Sequence, residues 1–196
     1  MEKLSHETLM GLEEYARNRA DFRARVIEHK KDRRVAIGDH AALYFEDAFT
    51  MQYQVQEMLR IEKIFEPEGI QEELDVYNPL IPDGNNWKAT FMIEYQDVEE
   101  RKAALAKMVG IEDKVWVKVG DHERVYPISN EDLDRTTEDK TSSVHFMRFE
   151  LTADMVSDAK GGASITMGID HPAYNHEVEL SDSVRQSLVN DLDSVQ

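Results

Sequence analysis

The sequence predicts an α+β protein in which a largely antiparallel sheet built of hairpins is flanked by helices. Strand-like runs come in neighbouring pairs, such as residues 163–169 and 174–180, with turn residues between the two members. Capped amphipathic segments stand between these pairs, whereas a doubly wound parallel sheet would place a helix after each single strand. A chain of 196 residues has the size of one domain. We therefore expect a single α+β domain over residues 1–196.

The first half of the chain alternates between helical and strand-like patterns. Apolar residues recur at helical spacing in four segments, residues 5–18, 20–32, 51–65 and 70–76. Thr50 is the predicted cap of the third helix. Residues 35–37 and 41–46 predict a hairpin that turns at a Gly-Asp pair. The helical segment 5–32 is expected to pack on the domain or to project from it.

The second half of the chain predicts the rest of the sheet. Apolar spacing indicates a strand at 87–95, a helix at 98–109, a hairpin of 114–119 with 123–128, a polar connection at 130–141, a strand beginning at 144, a helix at 153–160 and a last helix at 182–192. The strand that begins at residue 144 is apolar on both faces, which is usual for a central strand. Its Arg148 therefore needs a carboxylate or carbonyl partner.

The register of the last hairpin is predicted from its apolar residues. If Ile169 pairs with Tyr174, Met167 lies opposite His176 and the apolar side chains of both strands share one face. His176 is then buried in that face. We expect it to lie near a carboxylate or near His145, which belongs to a third strand.

Composition excludes several classes of function. The chain has 40 acidic and 23 basic residues and a net charge of −17, which disfavours nucleic acid and anionic membranes as partners. Because it has no cysteine, it has no disulfide, no thiolate nucleophile and no cysteine-ligated iron–sulfur cluster. An apolar signal core and long apolar runs are missing from the sequence, so a cytoplasmic protein is expected. The oligomeric state stays open.

Histidines of the C-terminal stretch form the first candidate site. The predicted ligands of a transition metal ion, iron or zinc, are His145, His171, His176 and Glu177. Imidazole and carboxylate groups suit these metals, but the spacing matches no defined metal motif. A histidine on an apolar face is more often a hydrogen-bonded core residue than a metal ligand. His171 is also explained as a turn residue, because it precedes a proline.

A basic segment near the N-terminus forms the second candidate site. Residues 15–34 carry eight basic and three acidic side chains, a local net charge of +5 on an acidic chain. The predicted ligands of a small anion are Arg23, Arg33, Arg34 and Arg60, with His29 or His40 as a general base. The alternative is that these arginines pair with the chain's own carboxylates. Asp39-His40 and Glu46-Asp47 lie at opposite ends of one strand and are not expected to converge.

Four stretches together resemble a known bacterial family, the domain-of-unknown-function family 3501. They are EEYARNRADFRARVIEHKKDRRVAIGDHAALYFED, QYQVQEMLRIEKIFEPEGIQEELDVYNPLIPDG, VHFMRFEL and DHPAYNHEV, in this order. The resemblance implies the company of rubrerythrin-like and iron–sulfur oxidoreductase proteins, and hence a redox protein as a possible partner. Three hypotheses follow: a metal-binding accessory of an iron or redox system, an enzyme or binding protein for a small anion, and a non-catalytic interaction module.

Overall fold

The computed structural model describes residues 1–193 of the chain. In chain order its strands are β1 (Arg34–Ala36), β2 (Ala41–Phe45), β3 (Asn86–Ile93), β4 (Val115–Val119), β5 (Ile128–Ser129), β6 (Val144–Glu150), β7 (Ile165–His171) and β8 (Tyr174–Glu179). Its α-helices are α1 (Leu12–Lys31), α2 (Ala48–Glu62), α3 (Pro67–Tyr77), α4 (Val98–Lys107), α5 (Ala153–Lys160) and α6 (Asp182–Val189). The expected domain over residues 1–196 extends into 194–196, which lie outside the described residues.

Two antiparallel sheets organise the fold. The large sheet has the strand order β1-β2-β3-β6-β5, and the small sheet has the order β4-β7-β8. Every strand pair is antiparallel, so the predicted α+β class is confirmed. The predicted hairpin of 114–119 with 123–128 is wrong, because β4 pairs with β7 instead. The segment 123–128 is joined to β4 by an isolated bridge between Val117 and Val125. β5 joins the large sheet instead.

The inner faces of the two sheets contribute to one hydrophobic core. From the large sheet Trp87, Phe91 and Phe149 are fully buried, and from the small sheet Val117 and Met167 are fully buried as well. The alternation predicted for residues 87–95 is confirmed in β3, where every second side chain faces this core. The buried indole of Trp87 in β3 also has a hydrogen-bond partner, because its Nε1 donates to the carbonyl oxygen of Leu188 at 2.8 Å.

The N-terminal helical segment differs from the prediction. Residues 6–8 form a single 3₁₀ turn, and α1 then begins after Gly11 and continues without interruption to Lys31. The two predicted helices are therefore one, since residues 18–20 contain no helix-breaking glycine or proline. The helix buries Tyr15, Phe22 and Val26 against aromatic side chains of α2. No helix among the described residues is both long and apolar enough to cross a membrane.

The start of α2 also differs from the prediction. Asp47, not Thr50, is the N-cap, and its carboxylate accepts a hydrogen bond from the Thr50 backbone at 2.8 Å. The Thr50 hydroxyl bonds back to the Asp47 backbone, which completes a capping box. The helix therefore begins three residues before the predicted position. This arrangement fixes the Asp47 carboxylate at the end of β2.

The last hairpin has a shorter turn than predicted. His171 pairs with Tyr174 across a two-residue turn, so Ile169 lies opposite His176 and Met167 lies opposite Val178. The predicted register is wrong by two residues, because a two-residue loop is the preferred connection between antiparallel strands. This shift keeps the parity of the faces. His176 is nevertheless exposed, although Tyr174 on the same face of β8 is buried.

Candidate functional site

The turn between β1 and β2 is held closed by a residue from the small sheet. The Tyr174 hydroxyl donates to the carbonyl oxygen of Ile37 at 2.6 Å and accepts a hydrogen bond from the His40 backbone at 3.0 Å. Gly38 has a φ of +70°, and a Cβ at this position would lie 2.5 Å from the Tyr174 hydroxyl and 2.8 Å from the His176 ring. Only glycine satisfies both constraints without a shift of its neighbours. The tip of the turn therefore has one defined conformation.

The His40 ring is fixed by two contacts. Its Nδ1 lies 3.1 Å from the carbonyl oxygen of Glu94, and its ring is stacked on Tyr95 with 3.9 Å between centroids and 9° between planes. A carbonyl oxygen only accepts hydrogen bonds, so Nδ1 carries the proton in the neutral ring. Nε2 then has a free lone pair, and it makes no hydrogen bond to any of residues 1–193. This arrangement orients an imidazole for proton transfer.

A cavity opens beside this ring. We call it the His40 cavity; its volume is about 640 Å³ and it is lined by Asp39, His40, Met92, Ile93, Glu94, Tyr95, Gln96, Glu100, Arg101 and Ser143. This volume is within the range of small-molecule sites. Burial and the nearby Glu100 carboxylate raise the pKa of Tyr95, so its phenol stays protonated at neutral pH. Burial also raises the pKa of Tyr174.

Arg101 is the cation of the His40 cavity. It lies in the first half of α4, it is half-buried, and its Nη1 donates a long hydrogen bond to the carbonyl oxygen of Tyr95 at 3.5 Å. Among the described residues no carboxylate lies within 4.0 Å of its guanidinium, although the chain as a whole is strongly acidic. A guanidinium without an internal carboxylate partner can bind a carboxylate or phosphate with two parallel hydrogen bonds.

The arginines predicted from the sequence do not come together. Arg34 lies nearest to the His40 cavity, but it is bound to the Tyr44 hydroxyl at 3.1 Å and to Glu94 at 3.3 Å. Arg23 is exposed on α1, and Arg60 lies on α2 near Glu57. The alternative, internal pairing, describes Arg34 and Arg60 better than a shared anion site does.

Arg33 is buried in a polar network that connects four parts of the chain. Its guanidinium binds both oxygens of Asp191, at 2.6 and 3.2 Å, and its Nε lies 3.3 Å from Asp47. His29 Nε2 lies 2.6 Å from the same Asp47 carboxylate. Burial raises the pKa of Asp191 to about 6 against the opposing effect of Arg33. Burial also opposes ionisation of Asp47, but Arg33, the Thr50 amide and His29 hold the pKa of Asp47 below its ordinary value.

His145 is fully buried and both of its nitrogens are occupied. Nε2 lies 3.0 Å from the carbonyl oxygen of Ser142 and 2.9 Å from the Thr141 hydroxyl, so it carries the proton. Nδ1 accepts a hydrogen bond from the Asn130 amide at 2.9 Å. Burial lowers the pKa of His145, and Glu112, 4.0 Å from Nε2, opposes this shift. These contacts describe a hydrogen-bonded core histidine.

The predicted metal ligands lie in separate places. His145 is in the large sheet, whereas His171, His176 and Glu177 are in the small sheet. His171 is buried, with Nε2 bonded to the carbonyl oxygen of Val109 at 3.0 Å and Nδ1 to the Ala173 amide at 3.1 Å. Within residues 1–193 no group of three or more histidines, cysteines or carboxylates is placed to hold a metal ion. The iron or zinc ion gains no support from this geometry and stays a prediction.

Two residues of the His40 cavity had no role in the sequence prediction. Arg101 follows two acidic residues in the first turns of α4, where a cation is disfavoured by the helix dipole, and this position was the available signal. Tyr95 follows β3 and was predicted only as an apolar strand residue. Their meeting with His40 depends on the pairing of β2 with β3, which places Ala41 opposite Ile93.

Comparisons with known proteins identify a matching family and a solved structure of similar fold. Residues 3–192 match the model of a family described as protein of unknown function, DUF3501. A crystal structure of a novel protein of unknown function from Burkholderia pseudomallei K96243 is 51% identical and has a TM-score of 0.92; the match covers 98% of this chain and 100% of that one. No curated protein matches the chain.

Proposed function

The chain belongs to the DUF3501 family, as its sequence resemblance predicts, and we propose that it binds a small anionic metabolite in the His40 cavity and transfers a proton through the His40 ring. His40 is the general base of this proposal. Arg101 binds the carboxylate or phosphate of the metabolite. The proposal keeps the anionic-ligand hypothesis but moves it from the basic segment 17–34 to the tip of the β1–β2 turn.

The observation that carries the proposal is the orientation of the His40 ring. Donation from Nδ1 to the Glu94 carbonyl oxygen leaves Nε2 as the basic atom, and stacking on Tyr95 limits rotation of the ring. A general base needs a fixed position and an available lone pair, and imidazole is the side chain most often used for this role. Both requirements are met beside a cavity of about 640 Å³.

Arg101 supports the choice of an anionic ligand. The net charge of −17 repels anions from the surface as a whole, so a guanidinium without an internal carboxylate partner is a selective point of attraction. The Ser143 side chain also lines the cavity and offers a hydroxyl. The ligand expected here is small and polar and carries one anionic group close to an acidic proton.

Binding of a panel of phosphorylated and carboxylated metabolites tests the proposal. Thermal shift identifies a ligand, and the His40 ring signals in an NMR titration report whether it occupies the cavity. We expect Arg101→Met to weaken binding about tenfold or more, because a charge-assisted bidentate contact is lost. His40→Gln should retain binding and abolish turnover, since the ring transfers the proton but does not hold the anion.

Arg23→Met is the matched control, because Arg23 is an exposed arginine on α1 without an ion pair among the described residues. Its affinity for the ligand should equal that of the wild type. An equal loss of affinity for the ligand in Arg23→Met and Arg101→Met would contradict the proposal. Turnover at the wild-type rate in His40→Gln would contradict it as well. The iron or redox accessory role, the redox partner and the interaction module stay predictions of the sequence.

A further inference from the structure

A second cavity lies against the outer face of the large sheet and shares no lining residue with the His40 cavity. We call it the α3 cleft; its volume is about 630 Å³. It is lined by Glu46, Asp75, Val76, Tyr77, Pro79, Leu80, Lys88, Ala89, Glu131, Asp132, Phe146, Met147 and Arg148. Most of this lining is aliphatic or aromatic, as in sites that bind the apolar body of a small ligand.

Glu46 is the oriented charge of the α3 cleft. Its two carboxylate oxygens accept hydrogen bonds from the Thr50 hydroxyl at 2.7 Å and from the Thr90 hydroxyl at 3.1 Å. In the part of the chain that the structure describes, no lysine, arginine or histidine nitrogen lies within 4.0 Å of it. Two neutral hydroxyls fix the carboxylate without neutralising its charge. A cationic group in the cleft would supply the missing charge.

The two cations of the cleft are already engaged by other groups. Lys88 Nζ donates to the carbonyl oxygen of Pro79 at 2.7 Å and lies 2.9 Å from Asp83. Arg148 binds Glu131 through two nitrogens, at 2.9 and 2.7 Å, and also binds Glu150. These contacts leave no guanidinium or ammonium in the cleft without a carboxylate. Among the lining residues, the charge that has no partner of opposite sign is therefore negative.

We propose that the α3 cleft binds a small amine whose protonated nitrogen contacts Glu46 and whose apolar body packs on Phe146, Leu80 and Val76. Val76 supports this assignment, because its side chain is 61% exposed at the rim of the cleft and gains burial from such a ligand. Glu46 accounts for the choice of a cation over a neutral or anionic molecule. The site is independent of proton transfer at His40.

Three phenyl compounds of similar shape test this inference: 2-phenylethylamine, 2-phenylethanol and 3-phenylpropionate. Protein-observed NMR titration measures their affinities and locates the shifted residues. We expect the amine to bind about tenfold more tightly than the alcohol, because only the amine makes a charge-assisted hydrogen bond with Glu46. The propionate should bind most weakly, since its carboxylate meets another carboxylate.

Glu46→Gln removes the charge and keeps the shape of the side chain, and it should remove the preference for the amine over the alcohol. Glu177→Gln is its matched control, because Glu177 is an exposed glutamate of β8 outside the cleft. If Glu46→Gln does not fold, Thr90→Val serves as the second variant. It removes one of the two hydroxyls that orient the Glu46 carboxylate and should reduce the preference for the amine over the alcohol, though less than Glu46→Gln would.

Equal affinity of the amine and the alcohol for the wild type would overturn the inference. So would an unchanged preference for the amine in the folded Glu46 or Thr90 variant. Chemical shift changes confined to residues outside the cleft would also overturn it. Since the probes carry no requirement for His40, these outcomes leave the proposed function untouched.

Discussion

The Tyr174 hydroxyl lies 2.6 Å from the carbonyl oxygen of Ile37, and this hydrogen bond ties the edge of the small sheet to the first hairpin of the large sheet. The two residues are 137 positions apart in the chain. The same hydroxyl accepts a hydrogen bond from the His40 backbone. The position of the proposed base therefore depends on contact between two sheets.

Tyr174→Phe is expected to lower the free energy of unfolding by about 1–2 kcal/mol, because the Ile37 carbonyl loses its partner and the His40 amide loses its acceptor. Urea denaturation measures the change. Hydrogen exchange of the His40 amide should accelerate more than global stability alone explains. Tyr126→Phe is the control, since its exposed hydroxyl bonds to the side chain of Asp170 and to no other group within residues 1–193. Equal effects of the two variants would contradict the role of Tyr174.

Gly38→Ala is expected to destabilise the protein by about 1–3 kcal/mol, because the backbone has φ = +70° and the new Cβ collides with the Tyr174 hydroxyl. Thermal unfolding gives the measurement. Gly11→Ala is the matched control, because a Cβ there has nothing within 4 Å and φ is −61°. A small effect at Gly38, similar to that at Gly11, would mean that the turn adopts another conformation.

The hairpin that carries His40 could be predicted from the sequence, but its surroundings could not. A Gly-Asp turn between two short apolar runs is a local signal, and the pairing of β1 with β2 follows from it. The contact of Tyr174 with this turn and the place of Arg101 in the His40 cavity depend on tertiary packing, and sequence periodicity carries no information about which edge meets which turn. The basic segment has a related limit, because charge density does not reveal which arginine has an internal partner.

Arg33→Met is expected to cost about 3–5 kcal/mol of stability, because the buried Asp47 and Asp191 carboxylates lose their shared cation. Arg23→Met should stay within about 0.5 kcal/mol of the wild type, as exposed positions usually do. Chemical denaturation compares the two. In the Arg33→Met background, Asp191→Asn should cost less than it does in the wild type. If the losses of unfolding free energy in Arg33→Met and Asp191→Asn simply add in the double variant, the two side chains do not interact.

His145 is expected to make the protein less stable at acidic pH. Burial holds the pKa of His145 below its ordinary value of 6.5, so below this pH the unfolded chain takes up a proton that the folded chain does not. Stability is therefore lost as the pH falls through 6.5 towards the folded pKa. Unfolding free energies measured from pH 7 downwards should show a shallower slope for His145→Gln.

His6→Gln is the control for that pH series, because His6 is exposed in the N-terminal turn. Its slope should match that of the wild type. An unchanged slope in His145→Gln would mean that the His145 ring takes up its proton without a stability cost. The amide of glutamine keeps a donor and an acceptor, which limits the loss of hydrogen bonds at this buried site.

The burial of His145 and the exposure of His176 show how much of the first candidate site, the C-terminal histidines, could be predicted from the sequence. Alternation in 144–150 assigned His145 to the apolar face correctly, because β6 is covered along its whole length. The same alternation assigned His176 to an apolar face, but its side chain is exposed even though one side of the ring lies against the Gly38 turn. Periodicity predicts which residues share a face, whereas coverage of the face is a tertiary property.

Arg33 also determines when this protein can finish folding during synthesis. Two of its partners, Phe45 and Glu46, are close in sequence, but Ser187 and Asp191 follow it by 154 and 158 positions and are synthesised much later. Until they emerge, the guanidinium cannot be enclosed without leaving a charge unsatisfied. The nascent N-terminal half is therefore expected to stay open at the end of β2 until residues 187–191 have been synthesised.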